Sequence, residues 1–192
     1  VSYTMALKNA LRQRPDVVLV GEIRDSEVMD QALTAAETGH LTLATLHTSN
    51  AYQSIERAVN IFKEEYHNQV RLSLATNLKA IVSQRLIPDL SGGVTLAVEV
   101  LLNQGLVKEL IQKGDIHKIK DVMAQNRQVG MCTFDQSLLD LYARGLISAD
   151  TAISHSDMSS DMKMKIQNQD LSGGEEDEGL STMDTSLLQI SD

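Results

Sequence analysis

Val17-Val18-Leu19-Val20 is a short, largely β-branched run that ends in Gly21 and Glu22. Leu41 to Leu46 is a second apolar run, alternating with threonine, that leads into Thr45-Leu46-His47-Thr48-Ser49-Asn50. In an open parallel sheet the ligand lies beyond the carboxyl ends of the strands, so chemistry is expected at these two ends. A carboxylate at the first end, Glu22, can polarise an attacking water or hold a water on a magnesium ion. It can equally pair with Arg24 or open the next helix, and spacing alone leaves both readings standing. At the second end, His47 can donate to a phosphate oxygen and change charge near neutral pH, or it can be an ordinary structural histidine. His40 precedes the second strand and lies at its opposite end. The strand's length between the two histidines, with no cysteine or carboxylate cluster beside them, argues against a metal site. No Gly-x-Ser-x-Gly elbow occurs, so a Ser/His/Asp hydrolase is poorly supported.

The elements that position these ends alternate between helix and strand. Thr4 to Arg14 places Ala6, Leu7, Ala10 and Leu11 on one helical face, and Pro15 stops it. The run at 17–20 has the pattern of a strand buried on both faces. Asp25 or Ser26 caps a helix that reaches Glu37, with Glu27 in its first turn and Gly39 just past its end. Asn50 caps the next helix, which carries Ile55, Ala58, Val59 and Phe62. The pattern then predicts a long helix from about Glu65 to Arg85 and a third strand over Val94 to Leu102. Strand–helix–strand alternation with crossovers of this length predicts a parallel sheet covered by helices, over residues 1–103.

After Gln104 the pattern changes to short amphipathic helices. Their stripes are Leu106, Val107, Leu110 and Ile111; then Ile116, Ile119 and Met123; then Phe134, Leu138, Leu141 and Tyr142. Ser148 caps a last stretch with Ala152, Ile153 and Met158. These faces carry no chemistry and read as core. The expectation is an all-helical subdomain over residues 104–167.

The chain has 192 residues and a formal net charge of −9, and the charge is uneven. From Asp157 onward nine acids face two bases, Lys163 and Lys165, so the preceding part is close to neutral. Ser172-Gly173-Gly174-Glu175-Glu176-Asp177-Glu178-Gly179 has nothing to bury, and residues 168–192 read as a disordered acidic tail. Within it only Leu187-Leu188-Gln189-Ile190 has the apolar content to dock. The acidic balance argues against nucleic acid as a partner. The lone Cys132 excludes an intramolecular disulfide and a multi-cysteine zinc site. No apolar run is long enough for an integral membrane segment, and the first residues carry no export signal, so the expected compartment is the cytoplasm.

Arg14-Pro15-Asp16-Val17-Val18-Leu19-Val20-Gly21-Glu22-Ile23-Arg24-Asp25 resembles the Walker B segment of the secretion and type IV pilus ATPases (the GspE/PulE superfamily). Thr38-Gly39-His40-Leu41-Thr42-Leu43-Ala44-Thr45-Leu46-His47-Thr48 resembles that family's His box. Ser83-Gln84-Arg85-Leu86-Ile87-Pro88 and Gly130-Met131-Cys132-Thr133-Phe134-Asp135-Gln136 resemble two later segments, in the same order and spacing. The resemblance covers roughly residues 1 to 167. It implies an α/β chain: the C-terminal half of a RecA-like phosphate-loop NTPase core, then the small helical subdomain and the tail.

The family's assembly and secretion ATPases usually carry a four-cysteine zinc insertion after the Gln-Arg-Leu segment. Here Leu86-Ile87-Pro88 runs through Ser91-Gly92-Gly93 straight into the third strand, which favours the retraction branch, the PilT and PilU types. Leu106-Val107-Lys108-Glu109-Leu110-Ile111-Gln112-Lys113 matches the PilT signature poorly. Arg57, Glu64, Glu65, His67 and Asn68 look more like the PilU type, which is preferred. By position, the resemblance makes Glu22 the carboxylate that aligns water on the γ-phosphate. It puts His47, and less directly His40, in the nucleotide-facing His box with Thr48, and Arg24 in a salt bridge that holds the segment. Gly21 stands where other Walker B strands have Asp, so another acid, supplied in the family by an upstream Asp box, must help with Mg2+.

No Gly-x-x-x-x-Gly-Lys-Ser/Thr occurs in the sequence, and that loop is what cradles the phosphates of ATP. With the non-Met start, the expectation is a chain truncated on its N-terminal side, inactive alone, with ATP and Mg2+ both needing the missing part. For the intact protein the resemblance implies a homo-hexamer that hydrolyses ATP to power pilus retraction and twitching motility. It would act with a PilT-type paralogue and an inner-membrane pilus platform protein, from the cytoplasmic side of that membrane. The alternatives are a non-catalytic interaction module of a pilus motor and a type II secretion ATPase without zinc.

Overall fold

The computed structural model describes residues 3–180. Its described residues divide into two compact units. One holds residues 3–85 and 96–133, the other residues 86–95 and 134–180. This division differs from the expected boundary after residue 103, because the first helices beyond Gln104 pack into the unit that carries the strand ends.

In the first unit, α1 (Tyr3–Leu11) ends three residues before the expected Arg14. Arg14 itself takes a left-handed backbone, φ 51°, ahead of Pro15, whose ring disfavours helix in the residue before it. β1 (Val17–Val20) and β2 (Leu41–Ala44) pair in parallel, with Val17 opposite Leu41 and Val20 opposite Ala44. The crossover between them is α2 (Ser26–Glu37), capped by Asp25, whose carboxylate accepts the Val28 N–H at 2.9 Å. Only one face of β1 is covered. Val18 and Val20 are buried, but Leu19 is 70% exposed and Val17 50%. The expectation of a strand buried on both faces is therefore corrected. The described sheet has two strands, and Val18 and Val20 join the core formed with α2 and the helices that follow.

α3 (Ala51–Asn60) begins at the Asn50 cap, whose side chain accepts the Gln53 N–H at 3.0 Å. A 3-10 turn at Glu64–Tyr66 leads into α4 (His67–Asn77). The expected long helix stops there, and Ala80–Pro88 is a strand, β3. Two causes are visible. Asn103 donates its side-chain amide to the carbonyls of Leu74, Ala75 and Leu78 at 3.3, 3.1 and 2.8 Å, which satisfies the end of α4. Ile81 and Val82 then find a partner in β4 (Val94–Leu102). The short link from Pro88 to Val94 permits only an antiparallel hairpin, since a parallel pair needs a crossover. The third strand of the sequence pattern thus belongs to a separate two-stranded sheet and not to the parallel one.

α5 (Leu106–Lys113) lies against α4, and α6 (Ile119–Gln125) follows a 3-10 turn at Ile116–Lys118. Val107, Leu110, Ile111, Ile116, Ile119 and Met123 are buried in the same core, while Leu106, expected on the stripe, is 52% exposed.

In the second unit α7 (Phe134–Ala143), α8 (Ala149–His155) and α9 (Ser159–Leu180) pack together. Phe134, Leu138, Leu141 and Ala152 are buried as their spacing predicts, and Ser148 caps α8 through the Thr151 N–H. Met158 is exposed. α9 spans Ser159–Leu180 and so takes in the first part of the segment expected to be a disordered tail. Met162 and Ile166 of α9 are buried. Leu187-Leu188-Gln189-Ile190 lies outside the described residues.

Candidate active site

The parallel register carries the ends of β1 and β2 forward side by side. Beyond Val20 and Ala44 the Ile23 N–H donates to the Thr45 carbonyl at 3.0 Å, and the Thr45 hydroxyl donates to the Gly21 carbonyl. These two bonds continue the ladder past the last paired residues and fix the segment that bears Glu22.

Glu22 is held from two directions. Its Oε2 accepts from Arg24, with Nε and Nη2 each at 2.7 Å, and its Oε1 lies 3.2 Å from Nε2 of His47. The Glu22 side chain is 29% exposed, against 77% for Arg24 and 82% for His47. Of the readings left open by spacing, the structure shows the pairing with Arg24, and the carboxylate follows the carboxyl end of β1. The Glu22 carboxyl sits below the ordinary carboxylate range. The hydrogen bond from Arg24 is the main cause, partial removal from water opposes it, and the charges of Arg24 and His47 add to the lowering. An ionised carboxylate with one oxygen turned toward a histidine can accept a hydrogen bond from a water and orient it.

Of the other residues singled out by sequence, Thr48 follows His47 and its hydroxyl lies 2.5 Å from the Ser54 hydroxyl. Thr48 and His47 also border an open groove of about 410 Å³ that runs along α3 past Gln53 and Arg57. Gly21 contributes its carbonyl, and a side chain there would meet nothing within 4 Å. His40 is not brought to the site. It sits ahead of β2, with Nδ1 3.1 Å from the Thr38 hydroxyl and 3.2 Å from the Ala35 carbonyl, closing the turn after α2.

Two residues at this edge were not assigned a role by sequence reasoning. Glu99, in β4, accepts the Ala51 N–H at 2.7 Å, and Arg85, in β3, donates to the Ser49 carbonyl at 3.2 Å. The signal for Glu99 was present, an acid inside the apolar run Val94 to Leu102.

Residues 1–136 match the family described as type II/IV secretion system protein. The chain belongs to that family. Among its type II/IV secretion system relatives, the type IV pilus ATPase PilU of Pseudomonas aeruginosa is 47% identical over 167 residues, covering 86% of this chain and 44% of PilU. The type IV pilus retraction ATPase PilT of the same organism is 40% identical over 152 residues, covering 79% of this chain and 44% of PilT. A crystal structure of the pilus retraction motor PilT with bound ADP superimposes with a TM-score of 0.75 at 40% identity, covering 83% of this chain and 45% of that one. The chain therefore spans a little under half the length of the relatives it matches. For a type II/IV secretion system protein, the resemblance drawn from the Walker B and His box segments is borne out at the level of the family.

The fit of a magnesium ion rests on the donors at this edge. Among the described residues no group of three or more His, Cys, Asp or Glu side chains is placed to hold a metal ion. A magnesium ion that comes with phosphates and keeps its own waters is held by only one or two protein carboxylates. Glu22 is the carboxylate at this edge that would reach it, through water. Among the described residues no helix is long and apolar enough to cross a membrane.

Proposed function

We propose that this chain is part of a hexameric motor ATPase of the PilU type, which hydrolyses ATP to power type IV pilus retraction. The observation that carries this reading is Glu22, lowered in pKa and facing His47 across two parallel strand ends. The PilU and PilT relatives, at 47% and 40% identity, support the choice of motor.

In this reading Glu22 orients the water that attacks the γ-phosphate. The hydrogen bond from Arg24 favours the ionised form of Glu22, which can accept the water's hydrogen. Arg24 fixes one of its oxygens, and the other faces His47 at the open edge. His47, largely in solvent, donates toward the nucleotide, and Thr48 stands next to it at the mouth of the groove. His40 takes no part, because its ring closes the α2–β2 turn. Magnesium, when bound with the nucleotide, neutralises charge on the phosphates. The phosphate-cradling loop is absent from these 192 residues, so the chain by itself does not turn over ATP. The intact motor would work at the cytoplasmic face of the inner membrane, with a PilT-type paralogue and a pilus platform protein.

The test is Glu22→Gln in the full-length protein. ATP binding is retained while turnover falls about 10²-fold or more, the scale of a positioned acid–base group, and pilus retraction is lost. Parental turnover by that variant overturns the assignment. The missing phosphate loop also favours a second reading, a non-catalytic module of a pilus motor. The coding DNA upstream of Val1 separates the two: an open frame that encodes the loop supports the enzyme, and a start codon there supports the module.

A further inference from the structure

Glu99 lies in β4 between Val98 and Val100 and is only 2% exposed. A carboxyl group taken that far out of water is costly unless something polar meets it. The start of α3 is one group that meets it: the Glu99 Oε1 accepts the Ala51 N–H at 2.7 Å. The first N–H groups of a helix have no partner within the helix. Asn50 accepts the one on Gln53, and Glu99, from a different sheet, accepts the one on Ala51. The positive end of the α3 dipole favours an acid at that place.

The same short loop is tied at two further points. Arg85 donates to the Ser49 carbonyl at 3.2 Å, and the Gln53 side-chain oxygen accepts the Ser49 N–H at 3.3 Å. All these bonds fall on Ser49 to Ala51, directly after His47 and Thr48. His47 is 82% exposed, so its place opposite Glu22 depends on the backbone that carries it. An apolar residue at position 99 would pack in β4 without the desolvation cost, yet would leave the Ala51 N–H without this acceptor.

We propose that Glu99 is a positioning residue of the active site, anchoring the N-terminus of α3 and thereby holding His47 at Glu22, with Arg85 as the second anchor. This rests on Glu22 and His47 forming the hydrolytic edge proposed above. The Ala51 N–H requires an acceptor at position 99, which Gln retains and Leu removes.

Two measurements test it together. In the 192-residue chain, amide hydrogen exchange at Ala51 speeds up about tenfold or more in Glu99→Leu and stays within about threefold of the parent in Glu99→Gln. In the full-length ATPase, Glu99→Leu lowers kcat by up to about 10²-fold with KM for ATP little changed, the scale expected when a group is displaced by about 1 Å, and Glu99→Gln restores most of it. Should Glu99→Leu fail to fold, Arg85→Met, which removes the donor to Ser49, carries the same comparison with a smaller fall in kcat. Unchanged Ala51 exchange in folded Glu99→Leu, unchanged kcat, or equal losses in the Gln and Leu variants overturn the proposal. If the full-length parent itself does not hydrolyse ATP, the functional reading fails, while the exchange measurement still decides whether Glu99 anchors α3.

Discussion

Nε2 of His47 lies 3.2 Å from Oε1 of Glu22, although one residue follows β1 and the other follows β2. A whole crossover helix separates them in sequence. Their meeting depends on the parallel register and on the Ile23–Thr45 and Thr45–Gly21 bonds that continue it.

Arg24→Met should return the Glu22 carboxyl toward the ordinary carboxylate range, since the Arg24 hydrogen bond is the main cause of its lowering. Carbon-detected NMR titration of Glu22 reads this directly. The sign for stability follows. A carboxyl with a depressed folded pKa contributes above its unfolded pKa, and that contribution disappears as pH falls through the folded value. The acid-side loss should therefore be shallower in Arg24→Met. A Glu22 midpoint that does not rise contradicts the pairing.

The 192-residue chain alone should release no phosphate from ATP above a protein-free control. Phosphate release that vanishes in Glu22→Gln would show that these residues contain a complete site and would remove the need for a phosphate loop from elsewhere.

Asp25→Ala should destabilise the chain by about 1 kcal/mol, the usual value of an N-cap. Asp25 is the acceptor for the Val28 N–H at the start of α2. Urea unfolding followed by far-UV circular dichroism measures the shift, and Asp25→Asn should recover most of it.

Neighbouring positions in β1 should respond in opposite ways. Val20 is fully buried, and Val20→Ala should cost about 2 kcal/mol from lost burial and the space left behind. Leu19 is 70% exposed, and Leu19→Ala should change stability by no more than about 0.5 kcal/mol. Equal effects at the two sites would mean that both faces of β1 are covered.

Much of the site was legible in the residues because its determinants are local. Asp25 and Asn50 are cap residues standing where helices begin, and each caps as its type predicts. The run Val17 to Val20 is short and largely β-branched, as a strand is, and Glu22 follows it directly after Gly21. The segment Leu78 to Arg85 misled because its apolar residues fit a helical stripe, while its state is set by pairing with β4, far along the chain. Glu99 was passed over for a related reason. An acid in an apolar run has meaning only once the helix end that it faces is known. His40 and His47 resemble one another in sequence, and their separation in space follows from lying at opposite ends of β2.

The one-to-one alignment of Val17–Val20 with Leu41–Ala44 also sets which changes in chain length this protein can absorb. An extra residue in the turn from Thr38 to His40 merely lengthens a surface connection. The same addition between Leu41 and His47 would slide the strand by one place, turn its side chains to the reverse face and carry the imidazole away from its acid. Natural variation in length should accordingly gather on one flank of β2 and be missing from the other.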